Sequence, residues 1–310
     1  MAAKRILLIA NPASGQHRGE RRLAQASERL ASLGHAVTAA LTESAGHATR
    51  LAKSNAPDFE IIAALGGDGT VNEVANGLMA VEPGERPTLA TLPVGTGNDV
   101  ALTYGLAHFE SAIDALAKGS TRTLDVIRVQ LMRDGKSVTR HALLFVAAGF
   151  AAEVIRKTGP RVKRIFGRRF SYSVGLFRAL ASFRAPEFSV KWDGGETSGR
   201  MFQVCAGNTE FAAGGVMRIS PGARPDDGLL NISLVDVLGR LQIVRRFPSI
   251  LSGRYVEDER VDYFTGKRLE IDAVPPAEFQ ADGDIIGTTP ATVELLPGAL
   301  QLVVHDQFQV

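Results

Sequence analysis

Hydrophobic positions in the first 120 residues follow two alternating patterns. Short, nearly continuous apolar runs occupy Arg5 to Ala10, Ala36 to Leu41, Ile61 to Leu65 and Thr88 to Leu92. Between them, apolar residues recur at helical spacing near 18–33, 46–55, 70–80 and 108–118. Continuous apolar runs bounded by turn residues read as strands buried on both faces. Their alternation with helices predicts a parallel sheet covered on both sides. From about Leu124 the pattern changes. "LDVIRVQLM", "HALLFVAAG", "EFSVKWDG", "RMFQVCAGN", "LLNISLVDV", "RLEIDA" and "ATVELL" read as strands separated by Gly, Pro and Asp turns, with one helix near 239–251. The predicted fold is α/β plus all-β. A Rossmann-like or NAD-kinase-like parallel-sheet domain over 1–125 precedes an antiparallel β-sandwich over 126–299. The last strand, within 300–310, is left free to rejoin the first domain.

Composition narrows this little. At 310 residues the chain is long enough for two filled cores, and a net charge of +2 makes no case for nucleic acid. The single cysteine, Cys205, rules out an intrachain disulfide and fits a reducing cytosol. It lies in an apolar run and reads as a buried, inert thiol. The apolar core near the amino terminus is short for a signal peptide. No window approaches the ~18–20 apolar residues of a membrane span. The protein is therefore expected to be cytoplasmic and, if it meets a membrane, to do so from the surface.

Three of the predicted strands end in glycine-rich turns: "NPASG" (11–15), "GGDGT" (66–70) and "PVGTGND" (93–99). Ligands bind parallel sheets at the carboxyl ends of strands. The GGDGT turn leads into a helix with Val71, Val74, Ala75 and Leu78 on one face, and Thr70 and Glu73 match a capping box. A helix amino terminus favours anions. There is no GxxxxGK[ST] motif, and "GTGNDV" lacks the third glycine of a dinucleotide fingerprint. Instead, Asp68 and Asp99 sit in the turns. Carboxylates repel bound phosphate unless a divalent cation bridges them, and magnesium takes a few carboxylates together with phosphate oxygens and water. The alternative is that both aspartates only form turns or cap helices.

Together "NPASG", "GGDGTVNEV" and "PVGTGNDVA" resemble the diacylglycerol-kinase catalytic-domain family, which includes bacterial soluble lipid kinases and sphingoid-base kinases. The resemblance continues through "TESAGHA" (42–48), "CAGNTEFAAGG" (205–215), "PGARPDDGLLN" (221–231) and "FQADGD" (279–284). GGDG alone also occurs in NAD kinases and phosphofructokinases; the ordered set carries the likeness. It implies an ATP-binding domain, then a β-sandwich that takes the lipid, with the active site in the cleft between them. Carried over by motif, Asn11, Ser14, Thr42, Gly66, Gly67, Asp68, Gly69, Thr70, Val71, Asn72, Thr96 and Asn98 bind the nucleotide. Asp68 and Asp99 belong to the magnesium network. Asp125 either joins it or is an ordinary strand-edge aspartate. A structural cation is implied on the Asp227 carboxylate and the carbonyls of Arg224 and Leu229. Asp282 is implied as general base, with Asp284 beside it in a catalytic role shared with Asp68. The family usually has glutamate where this chain has Asp284, and often Arg or Thr where it has Leu102.

Between 156 and 169 seven Lys or Arg occur with no acid, and aromatic residues follow. Arg161, Lys163, Arg164, Arg168 and Arg169 read either as a contact to an anionic membrane surface or as a solvated face. The expected activity is ATP- and Mg2+-dependent phosphorylation of a lipid hydroxyl. An NAD-kinase-like small-molecule kinase and a catalytically decayed lipid-binding relative are the alternatives. The acceptor lipid and the oligomeric state are not readable from the sequence.

Overall fold

The computed structural model describes residues 3–15, 18–95, 97–159 and 174–306. The chain divides into two compact units, one of Met1–Val126, Phe211–Val216 and Pro297–Val310, the other of Ile127–Glu210 and Met217–Leu296.

The first unit is built on β1 (Arg5–Ala10), β2 (Ala36–Leu41), β3 (Ile61–Gly66) and β4 (Thr88–Pro93). They pair in parallel in the order β2-β1-β3-β4. Residues Ile6 to Ala10 and Ile61 to Leu65 are at most 2% exposed, which explains why these strands carry no polar alternation. Even-numbered β1 residues Ile6 and Leu8 pack with Leu23, Ala26 and Leu30 of α1 (Gly19–Ser32) and with Ile113 and Leu116 of α5 (Phe109–Lys118). Elsewhere in this unit, α2 (His47–Asn55) packs on α3 (Asp68–Met79). Gly77 makes that approach possible, since a Cβ there would lie 2.5 Å from Thr49 O. The short α4 (Asp99–Thr103) follows β4. At the far end of the chain, Leu302 pairs in parallel with Leu89, so the terminal strand extends this sheet.

The second unit is antiparallel. Its strands are β5 (Thr121–Arg133, which begins in the first unit), β6 (Lys136–Ala142), β7 (Phe145–Gly149), β8 (Glu187–Trp192) and β9 (Gly195–Gly207). After β10 (Phe211–Ala212), which belongs to the first unit, come β11 (Met217–Arg218), β12 (Leu230–Asp236), β13 (Val261–Gly266), β14 (Arg268–Val274), β15 (Glu278–Ala281) and the long β16 (Asp284–Val303). One run pairs β13-β12-β9-β7-β15, while β8 joins β9 to β14 and β14 pairs with β16. Its main core includes Ile127, Phe188, Val204, Ile232, Leu269, Phe279 and Val293, and a smaller cluster gathers Phe150, Val154, Phe202 and Val235. Burying such side chains stabilises by ~1.5–3 kcal/mol each. Among the described residues α-helices also occur here at α6 (Phe150–Lys157), α7 (residues 174–182) and α8 (Arg240–Ser252). The stretch "HALLFVAAG" is two strands, broken at Leu143 and Leu144. No described helix is long and apolar enough to cross a membrane.

Candidate active site

Strand register decides which turns of the first unit meet. Ala10 pairs with both Leu41 and Leu65, and Gly66 pairs with Pro93. Asn11, Thr42, Gly67 and Val94, which follow these positions, therefore stand at one sheet edge. Backbone bonds carry the ladder past the strands: Asn11 N–H to Leu65 O (3.1 Å), Thr42 N–H to Ala10 O (2.9 Å) and Val94 N–H to Gly66 O (2.9 Å). Within "NPASG", Asn11 Oδ1 accepts the Ala13 N–H at 3.0 Å, and the Ser14 N–H donates to Asn11 O at 3.0 Å. Gly15, at φ 59°, brings this turn against the end of β4; a Cβ there would lie 2.5 Å from Val94 O.

The helix after GGDG begins at Asp68, three residues earlier than the capping-box pattern predicts, with Gly67 as N-cap and no side-chain cap. Thr70 therefore lies inside the first turn, buried against Gly66. Glu73 does not return to its own helix. Its Oε1 accepts the Gly46 N–H at 2.9 Å and its Oε2 the Ala48 N–H at 3.1 Å, so it caps α2 instead. The first-turn amides of α3 thus lack a side-chain acceptor, which suits an anionic ligand. Further along α3, the Asn76 amide donates to Asn72 O and Oδ1.

Asp68 and Asp99 are both half-buried. Asp68 Oδ1 accepts the Val100 N–H at 3.1 Å. Asp99 Oδ1 accepts the N–H groups of Gly214 (2.7 Å) and Gly215 (3.1 Å). Their Oδ2 atoms converge on Gly97: a Cβ added there would lie 3.0 Å from Asp68 Oδ2 and 3.6 Å from Asp99 Oδ2. Only a residue without a side chain keeps that space open. Burial pushes the Asp68 carboxyl above the usual carboxylate range, against the Val100 amide that draws it down. Burial raises Asp99 as well, and the charge of Asp68 adds to the rise. Two half-buried carboxylates that face one gap, both with raised proton affinity, are a fitting donor pair for a hard cation completed by phosphate and water. Among the described residues no group of three or more His, Cys, Asp or Glu could hold a metal. Asn98 adds a left-handed residue (φ 57°), donates from Nδ2 to Gly95 O, and has a buried Oδ1 with no hydrogen-bond partner among the described residues.

The segment clamped by Asp99 is unusual. Ala213, Gly214 and Gly215 all have positive φ, at 58°, 75° and 76°. In the sequence, the local sign of this turn is the run of small residues "AAGG". Asp125 is buried, and its Oδ1 accepts the Gly298 N–H at 2.7 Å.

In the second unit, Asp282 and Gly283 form a two-residue hairpin turn between β15 and β16, with φ of 47° and 88°. Positive φ at both positions is the type I′ pattern that DG favours. The Asp282 carboxylate turns onto the break between β6 and β7. Oδ2 accepts the Leu143 N–H at 2.7 Å, and Oδ1 accepts those of Leu144 and Phe145, both at 3.0 Å. Asp284 begins β16 and is exposed. In "ARPDDGLL", Asp227 Oδ1 accepts the Leu229 N–H at 3.0 Å, Gly228 is left-handed (φ 73°), and Arg224 pairs with Asp226 at 3.6 Å. Cys205 is buried, and burial pushes its thiol up to about 12, as an inert thiol requires. Thr96 and the basic residues Arg161, Lys163, Arg164, Arg168 and Arg169 lie outside the described residues.

Comparison with known proteins gives this geometry a family. Residues 5–129 match the diacylglycerol kinase catalytic domain, and residues 144–304 match the YegS C-terminal NAD kinase beta sandwich-like domain. The chain is 28% identical over 292 residues to a diacylglycerol kinase of Bacillus subtilis, covering 93% of this chain and 92% of that one. A diacylglycerol kinase of Staphylococcus aureus is also 28% identical, over 290 residues covering 93% and 88%. A crystal structure of a diacylglycerol kinase from Bacillus anthracis superposes with a TM-score of 0.75 at 25% identity, covering 99% of both chains. A second crystal structure from that organism gives 0.80 at 27% identity, covering 99% and 97%. With one unit matching a catalytic domain and the other its sandwich-like companion, the chain belongs to the diacylglycerol-kinase catalytic-domain family and is a phosphotransferase of the lipid-kinase class.

Proposed function

We propose that this chain is an ATP- and magnesium-dependent kinase that phosphorylates the hydroxyl of a diacylglycerol-like lipid. It works in the cytoplasm, peripheral to a membrane. The convergence of Asp68 and Asp99 on Gly97, beside the uncapped amino terminus of α3, carries this reading. The printed names of the relatives supply the lipid class. In this proposal the first unit is a Rossmann-like, NAD-kinase-like nucleotide domain. Asn11, Ser14, Thr42, the segment Gly66 to Asn72, Thr96 and Asn98 hold ATP, with the first-turn amides of α3 meeting its phosphates. Asp68 and Asp99 would hold magnesium, which neutralises phosphate charge when bound.

The acceptor oxygen attacks the γ-phosphorus, the bond to the bridging oxygen of ADP breaks, and the hydroxyl proton passes to a carboxylate. Asp282 is proposed as that base. Its three amide donors hold the carboxylate in one orientation, and proton acceptance must compete with them. Asp284 is proposed to act beside it. Asp227, with the carbonyls of Arg224 and Leu229, is proposed as a structural cation site. The basic residues from Arg161 to Arg169 are proposed to meet anionic lipid.

The test is a lipid-extract phosphorylation screen with ATP, with and without magnesium, and products identified by mass spectrometry. A phosphorylated diacylglycerol-like lipid, formed only with magnesium, is expected. Asp282→Asn should lower kcat by roughly 10²–10⁴ with little change in ATP affinity. Phosphorylation of a water-soluble acceptor alone, or no ATP consumption with any lipid, overturns the proposal.

A further inference from the structure

Helix α8 has an inside and an outside of unexpected composition. On its inner side Ile243 packs on the cluster of Phe150, Val154, Phe202 and Val235, and Arg246 is ion-paired with Asp258. Its outer side is where polar residues belong. Yet Leu241 is 62% exposed, Val244 54% and Leu251 37%. With the exposed Pro248 they recur at i, i+3, i+7 and i+10, a single stripe along the helix. Next to it stands α7, tied to α8 by a 2.7 Å bond from Arg240 Nη2 to Ala181 O. There Phe177 is 68% exposed.

Charge on these helices has one sign. No Asp or Glu occurs from Val154 to Pro186 or from Val237 to Val256. Arg178, Arg184 and Arg245 are exposed and have no ion-pair partner among the described residues. Of the acids nearest in sequence, Glu153, Glu257 and Asp258 are already paired to Arg156, Arg254 and Arg246, and Asp236, Glu187 and Glu259 are exposed. An apolar stripe flanked by unpaired arginines is the make-up of a helix that lies in the interface of an anionic bilayer. A second copy of this chain fits less well, because it would bring arginine against arginine from two helices that carry no acid of their own.

The geometry points to the outer face of α7 and α8, with Phe177, Leu241 and Val244 entering and Arg178, Arg184 and Arg245 flanking, as a docking surface for anionic lipid. This rests on the lipid-kinase reading and adds to the basic run an apolar component contributed by α8.

The experiment is co-sedimentation of the full chain with phosphatidylcholine vesicles, with and without phosphatidylglycerol. Parent, Leu241→Gln/Val244→Gln and Arg178→Gln/Arg184→Gln/Arg245→Gln are compared. All substituted side chains are exposed, so melting temperatures should match the parent. The apolar variant is expected to bind anionic vesicles at least about tenfold more weakly, because its two side chains no longer bury apolar surface in the bilayer. The arginine variant is expected to lose up to about 100-fold at low salt, from ~1 kcal/mol per basic residue near the surface, and most of its salt dependence. Unchanged partitioning in both variants overturns the inference. So does a parental dimer that dissociates in the apolar variant while vesicle binding persists, which would assign the face to self-association. Binding is read without turnover, so failure of the phosphorylation screen and failure of this surface are separate results.

Discussion

Asp68→Asn separates charge from shape at the centre of the site. The Val100 N–H, 3.1 Å from Asp68 Oδ1, still finds an acceptor in the amide oxygen, so α4 keeps its anchor. What disappears is one of two half-buried negative charges whose second oxygens face Gly97. Losing one preorganised electrostatic contact to a transition state costs ~2.7–4 kcal/mol, or about 10²–10³ in rate. Stability should move the other way. Burial raises the proton affinity of Asp68 in the folded state. Between the ordinary carboxylate range and that raised value, the folded chain binds more protons than the unfolded chain. Stability therefore falls as pH rises through this window, and at neutral pH the parent carries a penalty that the amide does not. The assay is an initial rate with saturating ATP and detergent-dispersed lipid, alongside melting curves near neutral pH with and without magnesium. The expected variant is slower by about 10²–10³, melts higher than the parent without cation, and gains less from magnesium than the parent does. Retention of more than about a tenth of the parental rate, or a lower melting temperature without cation, refutes the reasoning.

Asp99→Ala removes the acceptor of two amides, at ~1.5–3 kcal/mol for each bond to a charged group. Hydrogen exchange should accelerate at Gly214 and Gly215; unchanged protection would mean the turn holds itself. Asp282→Ala strands three amides and should melt well below Asp282→Asn, since each unsatisfied buried donor costs ~1–3 kcal/mol. Equal melting of the two variants would remove the anchoring role. Asp227→Ala should lower thermal stability and shrink the stabilisation gained from magnesium. Identical melting with and without the ion, in parent and variant, would leave Asp227 as a turn former bonded to Leu229.

The strands and helices of the first unit were legible in the sequence because their signals are local. A strand buried on both faces must be apolar throughout, as Ile61 to Leu65 is, and an amphipathic helix must repeat at its own period, as α5 does. The three glycine turns were legible for the same reason, and parallel pairing then sends them to one edge. Contacts between distant residues were decided only by the tertiary structure. Glu73 fits a local capping box, yet its carboxylate reaches amides 25 and 27 residues away, where it caps a different helix. Asp99 draws residues 115 and 116 positions downstream into the first unit, although a linear division assigns them to the second. Asp282 meets amides 137 to 139 positions upstream, a partnership that no spacing within "ADGD" encodes. A carboxylate can accept from any backbone amide brought within reach. Sequence can therefore name the aspartates of this site, but only the folded chain selects the amides that they bind.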